Sequence, residues 1–352
     1  MLNEALRWNG STWTKAAVPN PAGTGSDDVN SLLAVACTSS LDCWAVGFTS
    51  TANHLEHSEA LHWTGRRWSR VGTPAPHGAT TSSSRLFGVS CTSADNCWAV
   101  GESLNGMMLP APRLNEALHW NGERWVTARI PDPGGTRGSA FNELLRVSCT
   151  SARNCWAVGR ASVGNSLNNA PMLNQALRWN GSKWAAFATP DPGGTSASDF
   201  SELGSVSCTS QRACWAVGDY VNPETQSLLN EALRWNGKKW AIANVPDPAP
   251  TNYLSAVTCA AAASCWAVGS SGSSGIRGVG IFENTILHLS RGTWSRVPSP
   301  NPGGAGLGDT NSLAAVDCAS LMFCRAVGYV IAGPQPSSNQ ALRWDGTKWT
   351  AG

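Results

Sequence analysis

The sequence predicts an all-β fold, a β-propeller of four-stranded antiparallel blades, and three observations predict it. The phrase Leu-x-x-Val-x-Cys-x5-Cys-Trp-Ala-Val-Gly recurs six times, the last copy with Arg325 in the tryptophan slot. A second phrase, Asn-Glu-Ala-Leu-Arg-Trp-Asn-Gly-x-x-Trp, recurs seven times with variations. Between them lie short runs broken by Gly, Pro, Ser and Asn, with no helical periodicity.

Each copy supplies four strands in order. Strand a is the Leu-x-x-Val-x-Cys segment, strand b is Cys-Trp-Ala-Val-Gly, strand c is Glu-Ala-Leu-Arg-Trp, and strand d opens at the second tryptophan. Alternation along strand b puts Cys, Ala and Gly on one face and Trp and Val on the other. The Asn-Gly between c and d is a hairpin signal, because both residues tolerate the positive φ of a tight turn. Radial repetition protects strand edges that a linear solenoid would leave open, which favours a propeller. One propeller domain is expected over 1–352, with complete blades at 28–73, 82–130, 140–189, 199–245, 250–297 and 309–350 and a partial c–d blade at 1–20. Seven blade positions with the first incomplete is the favoured count, and a closed six-bladed ring is the alternative.

The twelve cysteines fall into six C-x5-C pairs, Cys37/Cys43, Cys91/Cys97, Cys149/Cys155, Cys208/Cys214, Cys259/Cys265 and Cys318/Cys324. Each pair joins the end of strand a to the start of strand b, where two Cβ atoms approach closely enough for a disulfide. Zinc would need further ligands, and no histidine accompanies each pair. Six disulfides place the chain in an oxidising compartment, secreted or at the cell surface. Met1-Leu2-Asn3-Glu4 has neither a basic n-region nor an apolar h-region, so no signal peptide is expected in the sequence as given.

All eighteen tryptophans occupy repeat slots, which assigns them to packing between blades, with their N–H groups satisfied locally, rather than to ligand stacking. The formal net charge of +2 provides no broad basic face for nucleic acid. No apolar run is long enough for a membrane span. A monomer is expected, on its own or as part of a larger secreted protein.

In up-and-down blades the b–c and d–a connections share one rim, and here they vary in length and content while the opposite rim repeats. Loops on a rigid scaffold carry function, which makes the variable rim the candidate binding face. The residue after Ala-Val-Gly changes in every copy, to Phe48, Glu102, Arg160, Asp219, Ser270 and Tyr329. With the b–c stretches Asn53 to His57 and Leu104 to Pro112, these six are the candidate ligand contacts, placed where strand b leaves the sheet. No catalytic residue, metal ligand or cofactor is assigned. His62, His119 and His288 fill an arginine slot and read as strand-surface residues, whereas His54, His57 and His77 are unique, and the first two could serve a metal only as a loose loop cluster. Pro-Asp-Pro-Gly-Gly at 131–135 and 190–194 reads as a rigid turn, with structural calcium at Asp132 or Asp191 as the alternative. Glu4, Glu59, Glu116 and Glu231 repeat and read as structural, so no acid–base pair stands out. No P-loop, dinucleotide fingerprint, nucleophile elbow or zincin motif is present.

Asn96-Cys97-Trp98-Ala99-Val100-Gly101, followed by Leu118-His119-Trp120 and Trp125, resembles a kelch-type blade, with one glycine where kelch repeats carry two. Trp344-Asp345-Gly346-Thr347-Lys348-Trp349 resembles the Asp-box of bacterial sialidases at a spacing one residue shorter, and three tyrosines with no arginine triad argue against sialidase chemistry. The Ser-Cys-Thr-Ser-Ala-x-x-Cys-Trp-Ala-Val-Gly phrase looks like the Cys/Trp repeats of secreted actinobacterial proteins over essentially the whole chain. That resemblance implies extracellular residence and names no ligand.

The expected function is a secreted or cell-surface binding module that recognises a glycan or a protein through the variable rim. Two alternatives stand beside it: an extracellular glycosidase or lyase with its site at the channel mouth, and a structural spacer of a larger secreted protein.

Overall fold

The computed structural model describes residues 1–51, 55–75, 82–105, 111–162, 170–273 and 280–352. Among them every regular element is a strand. The first two, β1 (Ala5–Trp8) and β2 (Trp13–Ala16), form a two-stranded sheet. Three four-stranded antiparallel sheets follow. The first holds β3 (Val29–Ser39), β4 (Asp42–Ser50), β5 (Glu56–Trp63) and β6 (Trp68–Val71). The second holds β7 (Ser82–Ser93), β8 (Asn96–Asn105), β9 (Arg113–Trp120) and β10 (Trp125–Thr127). The third holds β11 (Phe141–Ser151), β12 (Asn154–Ser162), β13 (Met172–Trp179) and β14 (Trp184–Phe187).

The remaining strands repeat the pattern three times: β15 (Ser201–Ser210) to β18 (Trp240–Ile242), β19 (Thr251–Ala261) to β22 (Thr293–Arg296), and β23 (Thr310–Ser320) to β26 (Trp349–Ala351). Their second and third strands are β16 (Ala213–Val221), β17 (Leu228–Trp235), β20 (Ser264–Ser273), β21 (Ile281–Ser290), β24 (Phe323–Ile331) and β25 (Ser338–Trp344). Only single parallel pairs, Leu228 with Thr251 and Phe282 with Thr310, link these three groups edge to edge. The chain forms two compact units, one of Met1–Ala157, Ala161–Ala170 and Leu177–Ala186, the other of Val158–Arg160, Pro171–Ala176 and Phe187–Gly352.

The cysteines of each a–b hairpin face each other, Cys91 opposite Cys97 for example, and all six pairs are disulfides with Cα atoms 4.0 Å apart. The staples are core features rather than surface clasps on the hairpin turns. The second cysteine of each pair, Cys43, Cys97, Cys155, Cys214, Cys265 or Cys324, is buried, whereas its partner on strand a keeps some exposure. The reason is position: strand b lies between strands a and c of its own sheet, and the sulfur on it packs with buried apolar side chains, Cys97 among Trp44, Leu118 and Trp125, and Cys155 among Trp98, Leu177 and Trp184. Cys265 packs likewise with Trp215 and Trp294, and Cys324 with Trp266 and Trp349. These cysteines therefore hold the blades and present nothing to a ligand.

Four residues before Cys91 the register slips: Leu86 pairs with Gly101 and Gly88 with Val100, so strand a carries a bulge at Phe87. The β21–β22 turn is a tight two-residue hairpin, Ser290 opposite Thr293 with Arg291 and Gly292 both at positive φ, but the c–d turns built on Asn-Gly differ from it. Trp8 pairs with Trp13, leaving four residues in the loop, and only Gly10 takes positive φ. Asn9 keeps ordinary φ and instead uses its side-chain oxygen to accept the N–H groups of Ser11 and Thr12.

Strand-b tryptophans are the centre of packing between consecutive sheets. Trp98 is buried with its ring 4.8 Å from Trp179 and 5.1 Å from Trp184 of the next sheet. On its other side lies His119 at 4.6 Å. His62 and His288 likewise stack on Trp44 and Trp266, so these histidines are packed against indoles rather than standing on the strand surface. Trp63, Trp120 and Trp235 donate their indole N–H to carbonyls of the a–b turns, while the buried Nε1 atoms of Trp44 and Trp98 find no acceptor. Their burial is therefore purely a matter of apolar area and ring contact. Trp98→Ala should cost about 3–5 kcal/mol, read from the denaturant midpoint.

Candidate functional site

The six variable residues after Ala-Val-Gly lie inside strand b rather than beyond it, because b runs two or three residues past each of them. Glu102 and Ser270 are buried there, and Tyr329 is exposed. Register places each observed pair opposite a strand-a residue that also varies between copies: Phe48 with Ser31, Glu102 with Arg85, Asp219 with Glu202, Ser270 with Tyr253, and Tyr329 with Ser312. These are same-face neighbours whose Cβ atoms stand roughly 5 Å apart. The strand-a partners escaped sequence analysis, although the slot just before Leu32, Leu86, Leu144, Leu203, Leu254 and Leu313 also varies, with four residue types in six copies against six in the strand-b slot.

In the first unit a charged cluster surrounds Glu102. Arg113 donates from Nη1 to both carboxylate oxygens of Glu102, at 2.7 and 2.8 Å, and its guanidinium lies over Phe141. Arg85 pairs with Glu56, Nη2 to Oε1 at 2.6 Å, and sits over the Phe48 ring at 4.9 Å. Burial pushes the Glu102 carboxyl up from its ordinary range; Arg113 and Arg85 pull it back and Glu143 adds to the rise. Two arginines and three carboxylates are thus interleaved with two aromatic rings.

In the second unit Arg160 on β12 pairs with Glu202 on β15, Nη1 to Oε2 at 2.6 Å. Asp219, opposite Glu202, is pushed up to about 8, first by burial and then by the Glu202 charge, with Arg160 opposing. Asp219 thus keeps its proton near neutral pH while its cross-strand neighbour Glu202 is paired with a guanidinium. This pair was not picked out from the sequence. Tyr253, exposed on β19, is raised by burial of its hydroxyl and by Asp219.

His57 and part of each b–c stretch are described, whereas 52–54, His77 and 106–110 lie outside the described residues. Among the described residues no three His, Cys, Asp or Glu side chains gather as a metal cluster would. Asp132 and Asp191 accept the backbone N–H groups of Asn115 and Asn174, each at 2.7 Å. Asn20 and Asn301 do the same for Asn3 and Asn284, so this slot needs an oxygen acceptor and no charge.

No protein-family model matches the chain, and no curated sequence does. Solved structures do. A Dyadobacter fermentans protein of unknown function aligns at TM-score 0.53 and 10% identity, over 91% of this chain and 98% of its own. YjhT aligns at 0.50 and 10%, over 90% and 95%. The Fusarium graminearum α-L-arabinofuranosidase Arb93A, in complex with an iminosugar inhibitor, aligns at 0.50 and 10%, over 88% and 92%. The chain is a β-propeller. Its blades are the four-stranded antiparallel sheets, and Glu102 and Asp219 occupy the same register position on strand b, opposite Arg85 and Glu202 of strand a.

Proposed function

We propose that this propeller is an extracellular glycan-binding module of kelch-like blades, recognising sugar at the ends of strands a and b. The observation that supports it is the convergence of non-repeated polar side chains in a scaffold otherwise repeated slot for slot. Glu102, Arg85 and Arg113 in one unit, and Arg160, Glu202 and Asp219 in the other, offer donors and acceptors of the kind that hydroxyl-rich ligands need. Tyr253 and Tyr329 stand in the same slots and are exposed. The six disulfides support a place outside the reducing cytoplasm.

The test is a glycan array with the whole chain, followed by calorimetry on the best ligand. Arg160→Ala and Asp219→Asn are each expected to weaken binding about tenfold or more with the fold retained. An empty array, or unchanged affinity in both variants, overturns this function.

Hydrolysis is the second reading, favoured by one observation: the protonated Asp219 opposite Glu202, whose carboxylate pairs with Arg160. Glycoside cleavage uses such a pair, one carboxyl to protonate the leaving oxygen and one carboxylate as nucleophile or base. Release of free sugar from an array hit, falling above about pH 8 and lost in Asp219→Asn, would identify it.

A further inference from the structure

The first unit contains a sheet with only half its strands. β1 and β2 pair as strands c and d do elsewhere, Trp8 opposite Trp13 just as Trp63 is opposite Trp68. In the complete sheets strand c has a second neighbour, strand b, along its whole length: β4 runs beside β5 from Cys43 opposite Trp63 to Ser50 opposite Glu56. Among the described residues no strand occupies that edge of β1.

The next sheet shows what is missing. Strand b of one sheet covers strand a of the following one: Trp44 and Val46 of β4 pack with Leu86 and Val89 of β7. Val89, Val147, Val206, Val257 and Val316 are all 9% exposed or less, whereas Val35, the same slot on β3, is 62% exposed. Trp68 is half-buried while its counterparts Trp125, Trp184, Trp240, Trp294 and Trp349 are buried, and Leu6 is 43% exposed where Leu61, Leu118, Leu177, Leu233, Leu287 and Leu342 are wholly covered. Arg7 lies over Trp63 at 5.4 Å, on the tryptophan that a strand-b indole would meet, as Trp44 meets Trp120. In the second unit, taken alone, Val327 is 37% exposed, where Val268 is covered by Leu313 and Val316 of a following strand a.

We propose that the open edge of β1 and the bare face of β3 form a docking site for a two-stranded β-hairpin of the repeat's own a–b type. The occupant carries the Leu-x-x-Val-x-Cys-x5-Cys-Trp-Ala-Val-Gly pattern on another polypeptide segment. Its strand b adds to β1 antiparallel by main-chain hydrogen bonds, and its tryptophan and valine cover Val35 and Trp68. The other blades identify this chemistry, because beside strand c in each of them stands an a–b hairpin.

The probe is a synthetic peptide of residues 82–105, oxidised at Cys91 and Cys97, titrated into the whole protein. A one-to-one complex is expected, with slowed amide exchange at Ala5–Trp8 and about tenfold weaker binding to the Val35→Asp protein. Because the isolated hairpin can fail to fold, the same residues are also fused ahead of Met1 through a flexible linker, which should raise Tm and protect the β1 edge. Unchanged Tm and β1 exchange in the fusion overturns the proposal. So does equal binding of a scrambled hairpin, or a dimer of the protein that forms through Val35 and resists the fused hairpin, since the occupant is then a second copy.

Discussion

Gly101→Ala should destabilise the protein by about 4 kcal/mol or more, beyond the usual cost of an overpacked core. A Cβ on Gly101 would stand 1.8 Å from the carbonyl oxygen of Arg85 and 2.9 Å from the Cα of Leu86. Neither atom can swing aside, since both belong to the backbone of the paired strand. The cause is the bulge, which brings strand a across the glycine of Ala-Val-Gly. Gly47, Gly218, Gly269 and Gly328 meet the equivalent carbonyl at 1.7–1.9 Å, so the glycine repeats for this reason. The substitution also bears on the proposed glycan site, because Glu102 follows immediately and Arg85 is the residue displaced; the binding proposed above should fall with stability. Gly72→Ala is the control, with nothing within 4 Å of its added Cβ and an expected change within about 0.5 kcal/mol. Denaturant unfolding of both variants decides the matter, and a loss below about 1 kcal/mol for Gly101→Ala contradicts the close approach.

Repetition made most of the scaffold legible. The cysteine pairs, the buried tryptophans and the four strands per blade each recur, so chance resemblance is removed at every slot. The site was half legible for a physical reason. Glu102 and Asp219 stand out as changes inside a repeated strand b, but their partners depend on register. Counting outward from Cys91 opposite Cys97 without a bulge puts Glu102 opposite Leu86, a core residue, and hides Arg85. The observed slip between Leu86 and Gly88 shifts strand a by one and turns Arg85 and Glu202 onto the same face as Glu102 and Asp219. Nothing in the residue pattern marks that slip, because the unpaired residue at its centre is Phe87 in one blade and Leu33 or Gly204 in others. The contacts between sheets, such as Asn3 with Glu59, 56 residues apart, depend on assembly and have no local signal.

Those contacts make stability depend on pH in an unusual direction. Glu59, Glu116 and Glu231 are buried in the strand-c slot that Gln175 and Gln340 fill in other blades. Gln340 shows the neutral arrangement: Asn284 Nδ2 donates to its Oε1 at 2.9 Å and its Nε2 donates back to Asn284 Oδ1 at 3.0 Å. Asn174 Nδ2 donates to Glu231 Oε1 at 2.7 Å, but Glu231 Oε2 and Asn174 Oδ1 are buried acceptors with no donor. A proton on Glu231 supplies that donor and makes the acid an isostere of glutamine. Burial first, then Asp191 and Asp219, push Glu231 well above the usual range against the Asn174 bond. Burial raises Glu116 to about 8, opposed by the Ser58 hydroxyl and aided by Glu102. Burial likewise raises Glu59 to about 7, against Asn3 and Arg70.

Because the folded pKa values exceed the unfolded ones, the folded state binds more protons between them. The stabilisation is complete below about pH 4.5 and is lost as pH rises through 7 and 8. Acid-labile carboxylate pairs would give the opposite slope. The loss across this window should reach a few kcal/mol. Tm followed from pH 5 to pH 9 should fall steadily, and the Glu116→Gln, Glu231→Gln double variant should flatten the curve, holding its stability at the alkaline end as Gln340 does in its own blade. A curve that rises through the same range, or a double variant that loses stability at pH 8, would show that these glutamates are held as anions and that the glutamine comparison fails.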